Sequence, residues 1–458
     1  MTGPVVVRDE GVRRSFARDA SGLELVPDGV VRARDAAEVA ACLAEASATG
    51  TPVTTAGGQT STTGASITDR GLVLSLRALE RPLEVDHVAG RARAGAGVSV
   101  AALKRACAEA GWLLPLDPTS EEECTVGGAV ACNATGARSL RYGDTRRHVR
   151  GLTVALVTGE VLRFTRPALE KNTVGYHFAQ DPVDWFVGSE GTLGVILEVE
   201  FALVPLPAAV TGLAIPFTGE REALAFVAAA REDAALAPRC LEYFDAQALE
   251  IVRGHEGGGG WGRGAAAMVY AEREAGAGGV VDLDPWLARV EAMGGRAEDI
   301  LVFEGEGALR EARRLRHAVP ATLNERGARC RARGGRKVST DWAVPYRALA
   351  DVLERSRALA ARHGVEPAVV FGHAGNGHPH QNYIARDADE LERAERAVGA
   401  TLQEVLRLGG TVAAEHGIGK LKRRWVPLQL SPLQLDAMRA LKQRLDPDGL
   451  LAPGNVFP

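Results

Sequence analysis

Three glycine-rich stretches in the first 200 residues, Ala56–Ser66, Thr125–Gly136 and Gly188–Ile196, constrain the fold of this chain more than any other feature. Each is almost free of bulky side chains, which marks places where backbone must approach something large and flat. Glycine has no Cβ and accepts positive φ, so a loop such as Ala56–Ser66 can turn its backbone N–H groups toward an anion. A diphosphate is the natural occupant. The loop has no Gly-Lys-Ser/Thr ending and no Gly-x-Gly-x-x-Gly opening a helix, so it is neither a P-loop nor a Rossmann fingerprint. Three such stretches in one region imply a large extended cofactor.

Around these stretches short apolar runs alternate with helical patterns, which suggests an α+β or α/β domain. Gly29–Ala33 reads as a strand, Asp35–Thr49 as an alanine-rich helix capped by Asp35, and Pro52–Thr55 as the next strand. Pro205-Leu206-Pro207 then punctuates the chain, after which Glu220–Glu232, Asp245–Arg253 and Asp389–Leu408 read as helices. Gly254–Gly264, with a run of four glycines before Trp261, reads as a surface loop or linker. The turn-rich ending Leu445–Asn455 is too apolar for simple disorder. A chain of 458 residues exceeds one hydrophobic core, and two or three domains are expected.

Chemistry concentrates in the run Phe371–His380, which holds His373, His378 and His380, and in Glu415-His416-Gly417 downstream. Only 10 histidines occur in the chain, and four of them lie here. A mixed His/Glu set suits a divalent ion such as zinc, and an adjacent imidazole suits a proton acceptor. The apolar run Val369–Phe371 enters a glycine-rich turn and Gln381–Ile384 resumes a strand pattern, so the histidines belong at a hairpin tip. Alternate residues of a strand share a face, so His378 and His380 should point the same way, whereas Glu415 and His416 should point apart.

Composition excludes other classes. Hydrophobic residues make up 46% and charged residues 24%, as in an ordinary globular protein, and a net charge of −4 offers no footprint for nucleic acid. No run of about 18 apolar residues exists and no signal-peptide core opens the chain, so a cytoplasmic protein is expected. The six cysteines form no Cys-x-x-Cys pair and read as reduced, mostly buried residues.

Asp117-Pro118-Thr119-Ser120, Val126-Gly127-Gly128, the Gly188–Ile196 run and Glu415–Gly419, in this order, resemble the FAD-linked oxidases of the vanillyl-alcohol oxidase type. The similarity is to the branch of D-lactate dehydrogenase, the glycolate oxidase catalytic subunit and D-2-hydroxyglutarate dehydrogenase. It implies an α+β protein with a two-subdomain, PCMH-type FAD-binding domain at 1–206. A cap domain with an antiparallel sheet and flanking helices would span 207–425, and 426–458 would return to the FAD domain. The backbone of Gly57, Gly58, Gln59, Thr60 and Ser61 should then hold the FAD diphosphate. Thr119, Ser120, Gly128, Asn133 and Gly136 should line the flavin, with Gly188, Gly191 and Ile196 along the cofactor. The diphosphate loop contains neither His nor Cys, so non-covalent FAD is expected.

The same resemblance assigns His373, His380 and Glu415 as metal ligands and His416 as the base near flavin N5. Arg316 matches the carboxylate-binding arginine, and Lys337 is a second, displaced carboxylate contact ahead of Asp341. Two departures stand out: Asn376 replaces an expected aspartate, removing an anion that could orient a ligand imidazole, and His378 replaces an asparagine, adding a rival ligand. The implied function is FAD-dependent oxidation of a 2-hydroxy acid, of D configuration, to the 2-oxo acid, with hydride passing to the flavin and zinc assisting. Electrons would leave to a separate acceptor: a quinone, an electron-transfer flavoprotein, a cytochrome or oxygen. A homodimer is compatible with this reading. The alternatives are an alcohol or sugar oxidase, an alkyl-dihydroxyacetone-phosphate-synthase-like enzyme, or a silent flavin-binding accessory subunit.

Overall fold

In the computed structural model the alanine-rich helix is Ala36–Thr49, opened by the Asp35 carboxylate, which accepts the Glu38 N–H, and closed by left-handed Gly50. The structure describes residues 5–275 and 279–458. They fall into two units, the described residues of 5–135, 144–206 and 415–458, and those of 136–143 and 207–414.

The first unit carries two sheets. Strands Val6–Val7, Gly29–Arg32, Leu72–Ser75 and Val53–Ala56 form one in that order, with the last three parallel. Leu83–Asp86, Arg91–Gly95, Val195–Ala202, Val149–Ala155 and Val161–Thr165 form the other, antiparallel throughout. Parallel strands need crossover connections, and the apolar face of Ala36–Thr49 supplies one, burying Val39, Cys42 and Leu43 against Val31 and Leu74. The C-terminal tail closes this sheet's core: Val53 N–H donates to the Leu450 carbonyl and Ala452 N–H to the Val53 carbonyl, each at 2.8 Å. Leu450 and Leu451 are buried, which accounts for the apolar character of the tail.

The second unit is built on one seven-stranded antiparallel sheet. Its order is Leu301–Glu304, Val210–Phe217, Ala267–Glu274, Cys240–Asp245, Val369–His373, His378–Asp387, Gly334–Ser339. The long helix Gly305–Cys330 covers one face, packing Leu315, Val319 and Leu323 with Phe244, Met268, Tyr270 and Phe371. Gly136–Gly143 joins this unit through Arg138, whose Nε and Nη2 each donate to buried Glu272 at 2.9 Å. The helices Glu220–Glu232, Ala246–Arg253 and Ala388–Arg407 agree with the sequence pattern, the last two capped by Asp245 and Asp387.

Of the two readings of Gly254–Gly264 the surface loop holds and the linker does not, because the stretch is a largely exposed turn folded within the second unit. Trp261 is buried, edge-on to Phe244 at 5.9 Å and stacked on Tyr270 at 6.1 Å, and its carbonyl accepts from Arg253 Nε. One aromatic ring outweighs the flexibility of the glycines, since burying it removes a large apolar area from water. All six cysteines are free thiols, five of them buried. Among the described residues no helix is long and apolar enough to cross a membrane.

Candidate functional site

In the first unit, Gly57, Gly58, Gln59, Thr60, Ser61, Gly128, Gly191 and Ile196 line a single cleft. The loop leaves strand Val53–Ala56 and immediately presses against Glu123–Thr125. A Cβ on Gly58 would fall on the Glu123 carbonyl, and one on Gly57 on the Thr125 hydroxyl. Gln59 takes a left-handed φ of 56°, and its side-chain amide donates to the Phe16 and Arg18 carbonyls at 3.2 and 3.0 Å. The loop is thereby anchored from outside while its small residues face the cleft, the arrangement a long flat cofactor with an anionic centre requires. Gly58→Ala is expected to weaken FAD binding by at least tenfold, ~1.4 kcal/mol, read as the flavin-to-protein absorbance ratio after gel filtration. Unchanged retention would show that this loop is not the cradle.

Other expected cofactor residues take different places. Asn133 is the left-handed C-cap of helix Val126–Cys132, and its side chain bonds Asp144 Oδ2 and the Arg146 N–H. Thr119 and Ser120 form the turn that precedes Cys124, Gly188 has a φ of 80°, and Gly136 opens the segment that belongs to the second unit.

Glu190 was not singled out from sequence, yet it lines the same cleft and organises the loop carrying Glu415 and His416. Its carboxylate accepts the Ile418 and Gly419 N–H groups at 2.6 and 2.7 Å. Burial raises its pKa, against the pull of those two N–H groups. Gly417, at φ 73°, passes so close that a Cβ there would meet Glu190 Oε1 at 2.9 Å. Glu415 and His416 do not point apart as an extended strand would require. The segment bends, and His416 Nε2 lies 3.3 Å from Glu415 Oε1, while Thr135 Oγ1 stands 3.4 Å from Glu415 Oε2.

In the second unit the histidine hairpin forms where the sequence places it. Val369–His373 pairs with His378–Asp387 in the register His373 opposite His378 and Phe371 opposite His380. Residues opposite one another in an antiparallel pair share a face, so the three imidazoles gather on one side. Their ring centroids are 5.4, 5.0 and 4.9 Å apart, and the side chains are only 3, 4 and 8% exposed for His373, His378 and His380 as residues. Gly372, at φ 117°, makes room, since a Cβ there would meet His380 Cδ2 at 2.6 Å.

The neighbouring strand supplies what Asn376 does not. Glu242 Oε1 lies 2.5 Å from His373 Nδ1 and its Oε2 accepts from Arg316 Nε at 2.6 Å. Burial would raise the Glu242 pKa, but the charges of Arg316 and His373 overrule it and hold it at about 2. The expected loss of an orienting anion at Asn376 is therefore corrected: a carboxylate 131 residues away takes that role. Asp341 Oδ1 likewise lies 3.2 Å from His378 Nε2.

Arg316 is buried in helix Gly305–Cys330 as half of an ion pair, so it is no exposed helix charge. Lys337 stands in strand Gly334–Ser339 opposite Ile384, on the face of His378 and His380, and donates to Asn324 Oδ1. Burial lowers its pKa to about 8. Glu242 carried one sequence signal, a lone carboxylate inside the apolar run Leu241–Phe244. Imidazoles oriented by buried carboxylates are a donor set that fits a divalent transition-series cation.

Comparisons with known proteins agree with both units. Residues 27–165 match an FAD binding domain model, and residues 206–456 match the model of the C-terminal domain of FAD linked oxidases. The glycolate oxidase subunit GlcD of Bacillus subtilis is 31% identical, over 100% of this chain and 95% of its own length. D-2-hydroxyglutarate dehydrogenase of Xanthomonas citri pv. viticola is 32% identical, over 92% and 87%. A solved structure of alkyldihydroxyacetonephosphate synthase superposes with a TM-score of 0.71 over 98% of this chain and 82% of that one, at 17% identity, a likeness of fold.

Proposed function

Because this chain belongs to the FAD-linked oxidases, we propose that it oxidises a 2-hydroxy acid of D configuration to the 2-oxo acid. It is an FAD-dependent oxidoreductase with relatives that include a glycolate oxidase subunit and D-2-hydroxyglutarate dehydrogenase. The observation that carries the substrate class is the buried trio Arg316, Glu242 and His373. It supports a reading in which a fixed guanidinium meets a substrate carboxylate beside an imidazole cluster, with Lys337 as a second cationic contact.

When bound, flavin accepts the hydride from the substrate carbon. His416 takes the hydroxyl proton, as its position on the loop held by cleft-lining Glu190 supports. His373, His380 and Glu415 would hold a divalent ion, zinc by donor type, which lowers the hydroxyl pKa as a Lewis acid. Glu242 keeps the Nδ1 side of His373 occupied, leaving Nε2 to serve as donor. Electrons then pass to a separate acceptor.

The test is anaerobic bleaching of the bound flavin by a panel of D- and L-2-hydroxy acids of varied chain length and charge. Reduction by at least one D acid, faster than by its L partner, is expected. A panel that leaves the flavin oxidised throughout overturns the reading.

A further inference from the structure

We propose that His378 is itself a ligand of the divalent cation, beside His373 on the same hairpin. This rests on the metal-assisted reading above and extends it. His373 and His378 face each other across the hairpin register, and one ring nitrogen of each lies within 4.8 Å of the other. Imidazoles whose nitrogens sit about 2.1 Å from one ion place their ring centres about 4.6 to 5.3 Å apart for angles of about 90 to 110°. The His378–His380 and His373–His380 centroid distances, 4.9 and 5.0 Å, lie inside that window, and the His373–His378 distance, 5.4 Å, lies just above it. A chance packing of buried histidines would not call for carboxylates around them, yet two are present: Glu242, hydrogen-bonded to His373, and Asp341, with Oδ1 3.2 Å from His378 Nε2.

Asp341 is 2% exposed, and its other oxygen accepts the Ala414 N–H at 3.2 Å, so its position is set by backbone. An anion held this way favours a cation seated beside the His378 ring. Two buried carboxylates thus stand beside these imidazoles, Glu242 in strand Cys240–Asp245 and Asp341 just beyond strand Gly334–Ser339.

The test uses the full-length flavoprotein, stripped with chelator and titrated with zinc alone. Zinc per chain and the zinc-induced shift in melting temperature are measured for wild type, His378→Asn and Asp341→Asn. His378→Asn is expected to weaken zinc binding by at least about tenfold while FAD content and apo-protein melting stay close to wild type, and Asp341→Asn to weaken it less. Zinc binding by His378→Asn at wild-type affinity overturns the proposal, as does a wild type that takes up no zinc. Flavin reduction by the acid panel, run on the same preparations, reports separately on the substrate reading.

Discussion

Replacing Glu242 with alanine is expected to destabilise the second unit by about 3–5 kcal/mol, the cost of leaving a buried charge uncompensated. Arg316 and Glu242 have side chains only 9% and 1% exposed, so solvent does not screen the loss. The same carboxylate also serves His373, so the variant breaks two charged contacts at once. Urea unfolding followed by circular dichroism should show a midpoint lower by about 1 M or more. Replacing both partners, Glu242→Met with Arg316→Met, should recover much of the loss, because no lone charge then remains in the core. A midpoint unchanged in Glu242→Ala would mean that the pair contributes nothing net. Acid should mimic the variant. The folded pKa of about 2 lies below the ordinary glutamate value of about 4.3. This contribution is therefore complete above about pH 4.3 and is lost as pH falls toward 2.

His416→Ala should slow flavin reduction by about 10²–10⁴-fold, the usual contribution of a positioned general base. FAD content should hold, because the cleft is built from the glycine loops and Glu190, and the Glu190 bonds go to backbone N–H groups of Ile418 and Gly419. Substrate affinity should change little, since Arg316 and Lys337 are untouched. Anaerobic stopped-flow with the best acid of the panel measures the rate, and a fall of less than about tenfold would remove His416 from the role of base. Glu415→Gln, by contrast, tests the metal: it should lower zinc retention and leave FAD in place.

Local features were legible in the chain itself. Asp35 and Asp387 cap their helices because a short carboxylate before an apolar-periodic run satisfies the free N–H groups of the first turn. The histidine hairpin was legible because two apolar runs flank a glycine-rich turn, and period-two alternation puts His378 and His380 on one face. The glycine stretches announced a cofactor cradle because only glycine tolerates the contacts that Gly57 and Gly58 make with residues 123–125. Long-range contacts overrode local pattern elsewhere: Gly254–Gly264 is a surface loop but no linker, since Trp261 pins it, and the Glu415-His416 bend follows Glu190, a residue 228 positions from its partner Ile418.

What this sequence determined alone was the kind of chemistry: an anion-cradling loop, a histidine cluster and a flavin-oxidase order of motifs. Which carboxylate orients which imidazole was decided by tertiary structure. Glu242, Arg316 and His373 come from two strands and a helix far apart in the chain, and only sheet register and helix packing bring them within hydrogen-bonding distance. A buried charge has to find its partner wherever the fold supplies one, because an unpaired charge in a low-dielectric core costs several kcal/mol, and no local pattern in the chain records that choice.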